Sequence, residues 1–349
     1  GWFSSLALDS NGFVHISHFD GTTGPLRYCN NTQGTWSCAT IDDAVTYYWA
    51  TSIALDSNNK VHISASVDNN LRYCNNTLGT WSCATIGTNA DYSSIAIDKG
   101  NVVHIIAYGS LNITYYNNSG GTWSNVNVFA TNLESVNGKY DISLALDSNN
   151  KSHFSAYNDS NLRLTYCNNT QGTWSCNNIS SSGFGQQSSI AVDSNDKIHL
   201  VGLGNNANKG IYYCNNTLGT WGCTAYEATA NLRYSGRYPS LALDSNNKIH
   251  FSSYYSNGGV YYLKYSTNAN GTMVTTNISL ADANYLGYPD SHSLAIKKGR
   301  LVDSTSFDNY AHISWYNNTD LIYSKKSIKN LILGIVYPTA NLNLSSGTN

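Results

Sequence analysis

Histidine recurs at seven places, His15, His62, His104, His153, His199, His250 and His312, each inside a short apolar run such as Val61-His62-Ile63. Imidazole ligates metals and moves protons near neutral pH, so seven of them invite a metal or acid–base reading. Their placement argues against it. One His per repeat, at equivalent positions, is spread around a repeating structure and does not converge on one ion. The expectation is a structural role, each ring hydrogen bonding with backbone or with the Asp that precedes it (Asp9, Asp56, Asp98, Asp147, Asp193, Asp244). The seventh repeat carries Lys297 in place of that Asp.

The eight cysteines form four pairs of one spacing, Cys29/Cys38, Cys74/Cys83, Cys167/Cys176 and Cys214/Cys223. Two further repeats have Tyr116 with Asn125, and Ser266 with Thr275, at the same positions. Partners that appear and vanish together behave as disulfides, and closing so short a loop contributes roughly 2 to 3 kcal/mol. The spacing without converging His does not suit zinc, and the Asp-Ser-Asn-Asn segments lack the spaced acidic ligands of a calcium loop. No metal and no cofactor is expected. Disulfides imply an oxidising compartment, so the expected location is extracellular or the cell surface.

Paired carboxylates across a channel would support glycosidase or lyase chemistry, and Asp42, Asp43, Asp141, Asp282 and Asp290 lie in candidate connections. No spacing selects a pair, and Glu134 and Glu227 are the only glutamates. The same connections hold Trp2, Trp49, Tyr92, Tyr140, Phe184, Tyr238 and Tyr288. These aromatics are a candidate ligand face, by stacking on sugars or anchoring protein contacts, and packing between units is the alternative.

The elements that must position these residues come from a repeat. Ser-Leu/Ile-Ala-x-Asp-Ser-Asn-type runs begin at Ser5, Ser52, Ser94, Ser143, Ser189, Ser240 and Ser293, spaced 42 to 53 residues apart. That period fits four short strands with their turns. Within one repeat, Ile53-Ala54-Leu55 and Val61-His62-Ile63 flank an Asp-Ser-Asn-Asn turn, giving strands A and B. Leu71 to Cys74 and Thr80 to Cys83 flank a second turn, giving strands C and D. The fold expected is all-β, a seven-bladed β-propeller of four antiparallel strands per blade over 1–337, with disulfides stapling four outer hairpins. Strands C and D of the seventh blade are expected at Leu321-Ile322-Tyr323 and around Leu331 to Val336, so that the ring closes without a strand from the far terminus. Residues 338–349 read as a linker or a strand donated to a neighbour, and Gly1-Trp2-Phe3 as a processed end.

Gly-Thr-Trp closes five C–D turns, at Gly34-Thr35-Trp36, Gly79-Thr80-Trp81, Gly121-Thr122-Trp123, Gly172-Thr173-Trp174 and Gly219-Thr220-Trp221. The motif resembles the Asp-box of sialidase-like propellers, although here Gly directly precedes Thr and Asn stands near the Asp place. In that family the box is a folding element, so the resemblance implies fold and no activity. The arginine triad and Tyr/Glu nucleophile of a sialidase are not matched, because Arg27, Arg72 and Arg163 are equivalent positions in three repeats. As a whole, 1–337 is similar to repeat propellers of large secreted and cell-surface proteins of archaea and bacteria.

Sequons stand at Asn30, Asn75, Asn117, Asn168, Asn215 and Asn270 in the C–D turns. Others stand at Asn112, Asn150, Asn158, Asn178, Asn277, Asn317 and Asn343. Covalent N-glycans are therefore expected on that face. Charged residues are 11% of the chain with a formal net charge of -2 and no cluster of either sign, which excludes a nucleic-acid footprint. No apolar run is long enough to span a bilayer as a helix. The leading functional expectation is a non-catalytic structural or adhesive surface glycoprotein, with itself, as a surface layer or filament, or surface glycans as partners. A carbohydrate-binding propeller and a glycosidase or lyase are the alternatives.

Overall fold

The computed structural model describes residues 2–20, 24–43, 48–109, 112–130, 142–158, 163–179, 184–204, 210–226, 237–257, 260–280, 292–296, 310–316, 321–327 and 342–343. These residues form seven successive blades, each an antiparallel A-B-C-D sheet in chain order. The first blade is β1 (Trp2–Leu8), β2 (Val14–Phe19), β3 (Leu26–Asn30) and β4 (Ser37–Asp42), and the second is β5 (Tyr48–Leu55), β6 (Val61–Val67), β7 (Asn70–Asn75) and β8 (Ser82–Thr88). The third runs β9 (Tyr92–Ile97), β10 (Val103–Gly109), β11 (Asn112–Asn117) and β12 (Ser124–Ala130). The fourth is β13 (Ser143–Leu146), β14 (Ser152–Asn158), β15 (Arg163–Asn168) and β16 (Ser175–Asn178). Then come β17 (Phe184–Val192), β18 (Ile198–Gly204), β19 (Ile211–Asn215) and β20 (Gly222–Ala225), followed by β21 (Arg237–Leu243), β22 (Ile249–Asn257), β23 (Val260–Thr267) and β24 (Val274–Leu280). The seventh blade is β25 (His292–Ile296), β26 (Tyr310–Tyr316), β27 (Leu321–Ser327) and β28 (Leu342–Asn343).

The second strand of a blade is buried on both faces, as in β6, where all seven residues are inaccessible. Neighbouring blades cover it from either side, so even its serines must find partners. They do so across the seams. Ser17 bonds Thr51, Ser93 donates to Ser64 (2.9 Å), Ser188 to Ser155 (2.9 Å) and Ser314 to Ser4 (3.1 Å). Where the second strand offers Ile106 instead, the facing residue is Ile142, and both sit in one apolar cluster. Polar thus meets polar and apolar meets apolar at these five places, while the equivalent Ser252 of the sixth blade is buried without a partner among the described residues.

The turns are built from the repeated Asp and Asn. In the A–B turn, the Asp56 carboxylate accepts from the Asn58 and Lys60 N–H groups (2.8 and 2.7 Å). Asn59 adopts the left-handed conformation (φ 58°), tolerable for Asn. It also reaches back to Ser10 of the preceding blade, accepting from its N–H and donating to its hydroxyl. In the C–D turn, the Asn75 side-chain oxygen accepts from Thr77 N–H and hydroxyl, while Asn76 accepts from Val61 N–H (2.7 Å) and ties the turn to the second strand. Gly79 follows at φ +88°. No atom would obstruct a Cβ there, so the backbone angle alone calls for glycine.

All four expected disulfides form, Cys29–Cys38, Cys74–Cys83, Cys167–Cys176 and Cys214–Cys223, each between facing residues of the outer hairpin. The ring closes between the last and first blades without strand exchange: Leu6 N–H donates to Ser293 Oγ (3.0 Å) and Trp36 packs edge-on against Tyr323. One expectation differs. The strand paired with β27 is β28, Leu342–Asn343, inside the segment read as a tail, whereas Leu331 to Val336 lies outside the described residues. The outer edge of β27 needs a partner, and Leu342–Asn343 supplies one, pairing with Tyr323 and Ile322.

Candidate functional site

Each repeated His meets a tyrosine, and six of the seven also face an aspartate. On one side, Nδ1 lies 2.5 to 2.8 Å from a third-strand tyrosine hydroxyl, in the pairs His15–Tyr28, His62–Tyr73, His104–Tyr115, His153–Tyr166, His199–Tyr213, His250–Tyr265 and His312–Tyr323. On the other, Nε2 faces the Asp that ends the first strand at 3.2 to 3.7 Å in six blades. At His199 that contact has hydrogen-bond geometry. The carboxylate places the imidazole proton on Nε2, so Nδ1 accepts from the tyrosine O–H. Burial pushes His15, His62, His104, His153 and His199 below the ordinary imidazole value and lifts Tyr28, Tyr73, Tyr115, Tyr166 and Tyr213 above the ordinary phenol value.

The tyrosine then packs on the tryptophan of the next blade, with ring centroids 5.0 to 5.1 Å apart at Tyr28–Trp81, Tyr73–Trp123, Tyr115–Trp174 and Tyr166–Trp221. An Asp–His pair feeding a buried phenol presents no nucleophile to solvent. It is a strut running from the A–B turn, through the blade, to the next blade's C–D turn. The sequence pointed to Asp and backbone as the His partners and missed the tyrosine. The signal was there, since Tyr-Cys or its equivalent recurs in every third strand.

The axis of the ring is lined by hydroxyls. A cavity of ≈ 150 Å³ is bounded by Ser5, Ser52, Ser94, Ser143, Ser189, Ser240 and Ser293, with Thr51, Ser93, Ser188 and Tyr92 beside them. Each of the seven serines accepts a hydrogen bond from the first-strand backbone N–H of the next blade, at 3.0 to 3.2 Å. The described lining is serine, threonine and apolar or aromatic side chains, a neutral surface with donors and acceptors in which no carboxylate, imidazole or amine appears.

The candidate aromatic face divides. Tyr92 is buried and lines the axial cavity, and Trp2 packs against the apolar cluster between the first two blades. Trp49, Phe184 and Tyr238 belong to β5, β17 and β21, and their side chains lie outside the description, as do Tyr140 and Tyr288 altogether. Among the carboxylates, Asp42 is buried and ion-paired with Arg72 (2.7 Å), and Asp43 is exposed. Asp141, Asp282 and Asp290 lie outside the described residues. Asp42 also stands near Cys74 and Cys83, but their sulfurs are joined to each other, which removes them as metal ligands.

Among the sequons, Asn30, Asn75, Asn117, Asn168 and Asn215 open the C–D turns at equivalent positions, each accepting through its side-chain oxygen from the Thr or Ser two residues on. Asn270 does not. Thr267 takes the turn-opening place in the sixth blade, and Asn270 sits at the exposed turn apex, where the second and fifth blades have Leu78 and Leu218, each 92% exposed.

No protein-family model and no curated protein matches the chain. Solved structures do resemble it. A polysaccharide lyase, an ulvan lyase, superposes with a TM-score of 0.59 at 10% identity, covering 95% of both chains. A catalytically inactive virginiamycin B lyase from Staphylococcus aureus, solved with quinupristin, gives 0.58 at 12% identity over 94% of this chain and 95% of that one. The fucose-recognising Aleuria aurantia lectin, a six-bladed propeller, gives 0.51 at 11% identity over 82% of this chain and 96% of its own. At these identities the likeness is one of fold, and it places the chain among β-propellers.

Proposed function

We propose that this propeller is a non-catalytic structural or adhesive glycoprotein that works outside the reducing cytoplasm, as a unit of a surface layer or filament. The observation that carries the reading is that the recurring titratable side chains are consumed in holding blades together, six His between Asp and Tyr and His312 against Tyr323, while the axial cavity is walled by hydroxyls that themselves bridge blades. Four disulfides in a chain whose described cysteines are all paired fit an oxidising location. In five C–D turns the sequon Asn engages its oxygen internally, which leaves Nδ2, the atom that carries an N-glycan, for modification. The lyases among the structural neighbours make the decisive experiment a test for turnover. Incubation with neutral and uronate-containing polysaccharides should release no reducing ends and no unsaturated product absorbing in the ultraviolet. Sustained release of either overturns the reading.

A further inference from the structure

The seams between blades are filled by recurring side chains, and one described seam lacks several of them. Between the first and second blades, Arg72 Nε and Nη2 bind the Asp42 carboxylate at 2.8 and 2.7 Å, beside the Cys74–Cys83 disulfide. Between the third and fourth, Phe129 packs into the cluster holding Cys167 and Trp174. Between the second and third, an apolar cluster of Leu71, Tyr73, Ile95, Ile105 and Tyr116 joins the blades, but the ion pair and the disulfide are missing. Gly87 stands at the register position of Asp42, Thr114 at that of Arg72, and Tyr116 with Asn125 replaces the disulfide. Gly87 is kept small by Tyr116, whose hydroxyl and ring would overlap a Cβ there.

What remains is a cavity of ≈ 190 Å³, about six water molecules at roughly 30 Å³ each. Its polar walls are the carboxamides of Asn89, Asn112, Asn125 and Asn127 and the hydroxyls of Thr88 and Thr114. Thr114 Oγ1 donates to Asn127 Oδ1 (2.8 Å), which orients that carboxamide and leaves its NH₂ to donate. The wall carrying Asn89 is fixed. Asn89 lies in the left-handed conformation (φ 55°), its carbonyl is packed so closely on Gly109 that a Cβ there would collide, and Ala90 and Asp91 N–H groups donate to Asn69 O and Tyr108 O at 3.0 and 2.7 Å.

We propose that this seam binds one neutral pyranose ring. The Asn89 and Asn125 carboxamides each carry a donor and an acceptor, the complement of neighbouring sugar hydroxyls, Asn127 adds its NH₂, and Ala90, Ala107 and the buried Tyr116 form the apolar floor. The described lining carries no formal charge, so it offers a phosphate, uronate or amine no counter-charge. The fixed walls lower the ordering cost of binding.

The inference is independent of the scaffold role, and its failure leaves that role standing. It is tested on the full chain made without glycosylation in a disulfide-forming host, titrated with the methyl glycosides of glucose, galactose, mannose, fucose and N-acetylglucosamine and followed by saturation-transfer NMR. At least one glycoside should bind, Asn125→Ala and Asn127→Ala should each weaken it tenfold or more, and Thr114→Arg, which restores the residue type of the neighbouring seam, should abolish it. Asn125 and Asn127 are exposed, so their variants should keep the wild-type melting temperature. Because Asn112-Ile113-Thr114 is itself a sequon, the ring can also come from this chain's own glycan. Binding by the unglycosylated chain assigns the sugar to another molecule. Contacts between an Asn112-linked sugar and the Tyr116 ring in glycosylated protein, without binding of free glycosides, assign it to the chain. Sugar contact from neither source, or binding that survives Thr114→Arg, overturns the proposal.

Discussion

At the residue scale, the instructive group is His18, which the repeating strut does not use. It is buried, with Nδ1 3.1 Å from the Phe19 carbonyl and Nε2 3.7 Å from the sulfur of Cys29. Burial lowers its pKa to about 3. His15, His62, His104, His153 and His199 are lowered for the same first reason. A His depressed in the folded state stays neutral while the unfolded chain protonates near pH 6.5. Stability is therefore full above that pH and is lost as pH falls, until the folded ring also takes a proton. Each such His withdraws up to about 1.4 kcal/mol per pH unit in that window. The urea midpoint should fall between pH 7 and pH 5, and His18→Ala should make the fall shallower whatever it does to the absolute midpoint. Alanine is the natural choice, since Ala65, Ala107 and Ala156 occupy the equivalent places. An unchanged pH slope would mean that His18 titrates normally in the folded protein.

At the scale of the hairpin, the cysteine pairing was legible because both spacing and joint loss in two repeats appear in one chain. The sixth blade shows what the loss costs locally. Ser266 and Thr275 face each other and bond through their hydroxyls at 2.8 Å, so the hairpin keeps a cross-strand link without sulfur. Replacing Cys74→Ser with Cys83→Thr copies that solution into the second blade. The expected outcome is a folded protein less stable by about 2 kcal/mol, because the remaining term is the unfolded-state entropy that a short crosslink removes. Guanidinium unfolding of the double variant measures it, and a loss several times larger would show that the disulfide holds native geometry. Less legible was the serine pairing across seams. Ser64 with Ser93 and Ile106 with Ile142 obey one rule, but the partners lie in different strands of different blades, and a lone Ser in a strand reads as solvent-facing. The Asn270 sequon was legible as a motif and misleading as a position, because Thr267 and not Asn opens that turn.

For the whole molecule, the sevenfold repeat carried the architecture, since each repeat is a unit that buries its faces only against copies of itself. The last strand escaped because its pairing is two residues long and follows a segment without the motif that marks the other blades. The seam cavity escaped because it is a sum of absences: Gly87, Thr114 and Tyr116 are unremarkable singly and meaningful only in register with Asp42, Arg72 and Cys74. Closure poses the remaining question of energy. Six seams join consecutive stretches of chain, whereas the seventh joins residues about 310 apart, as in the Ser314–Ser4 hydrogen bond of 3.1 Å. Opening that seam first gains the most chain freedom. A covalent tie there should stabilise more than one placed anywhere else in the ring, by at most about 6 kcal/mol on loop entropy alone. Ser4→Cys combined with Ser314→Cys, oxidised, should melt above both single variants, while the same tie at Ser64 and Ser93, closing a loop of 29 residues, should gain less. Equal gains at the two seams would mean that the propeller unfolds all at once and not from its closing seam.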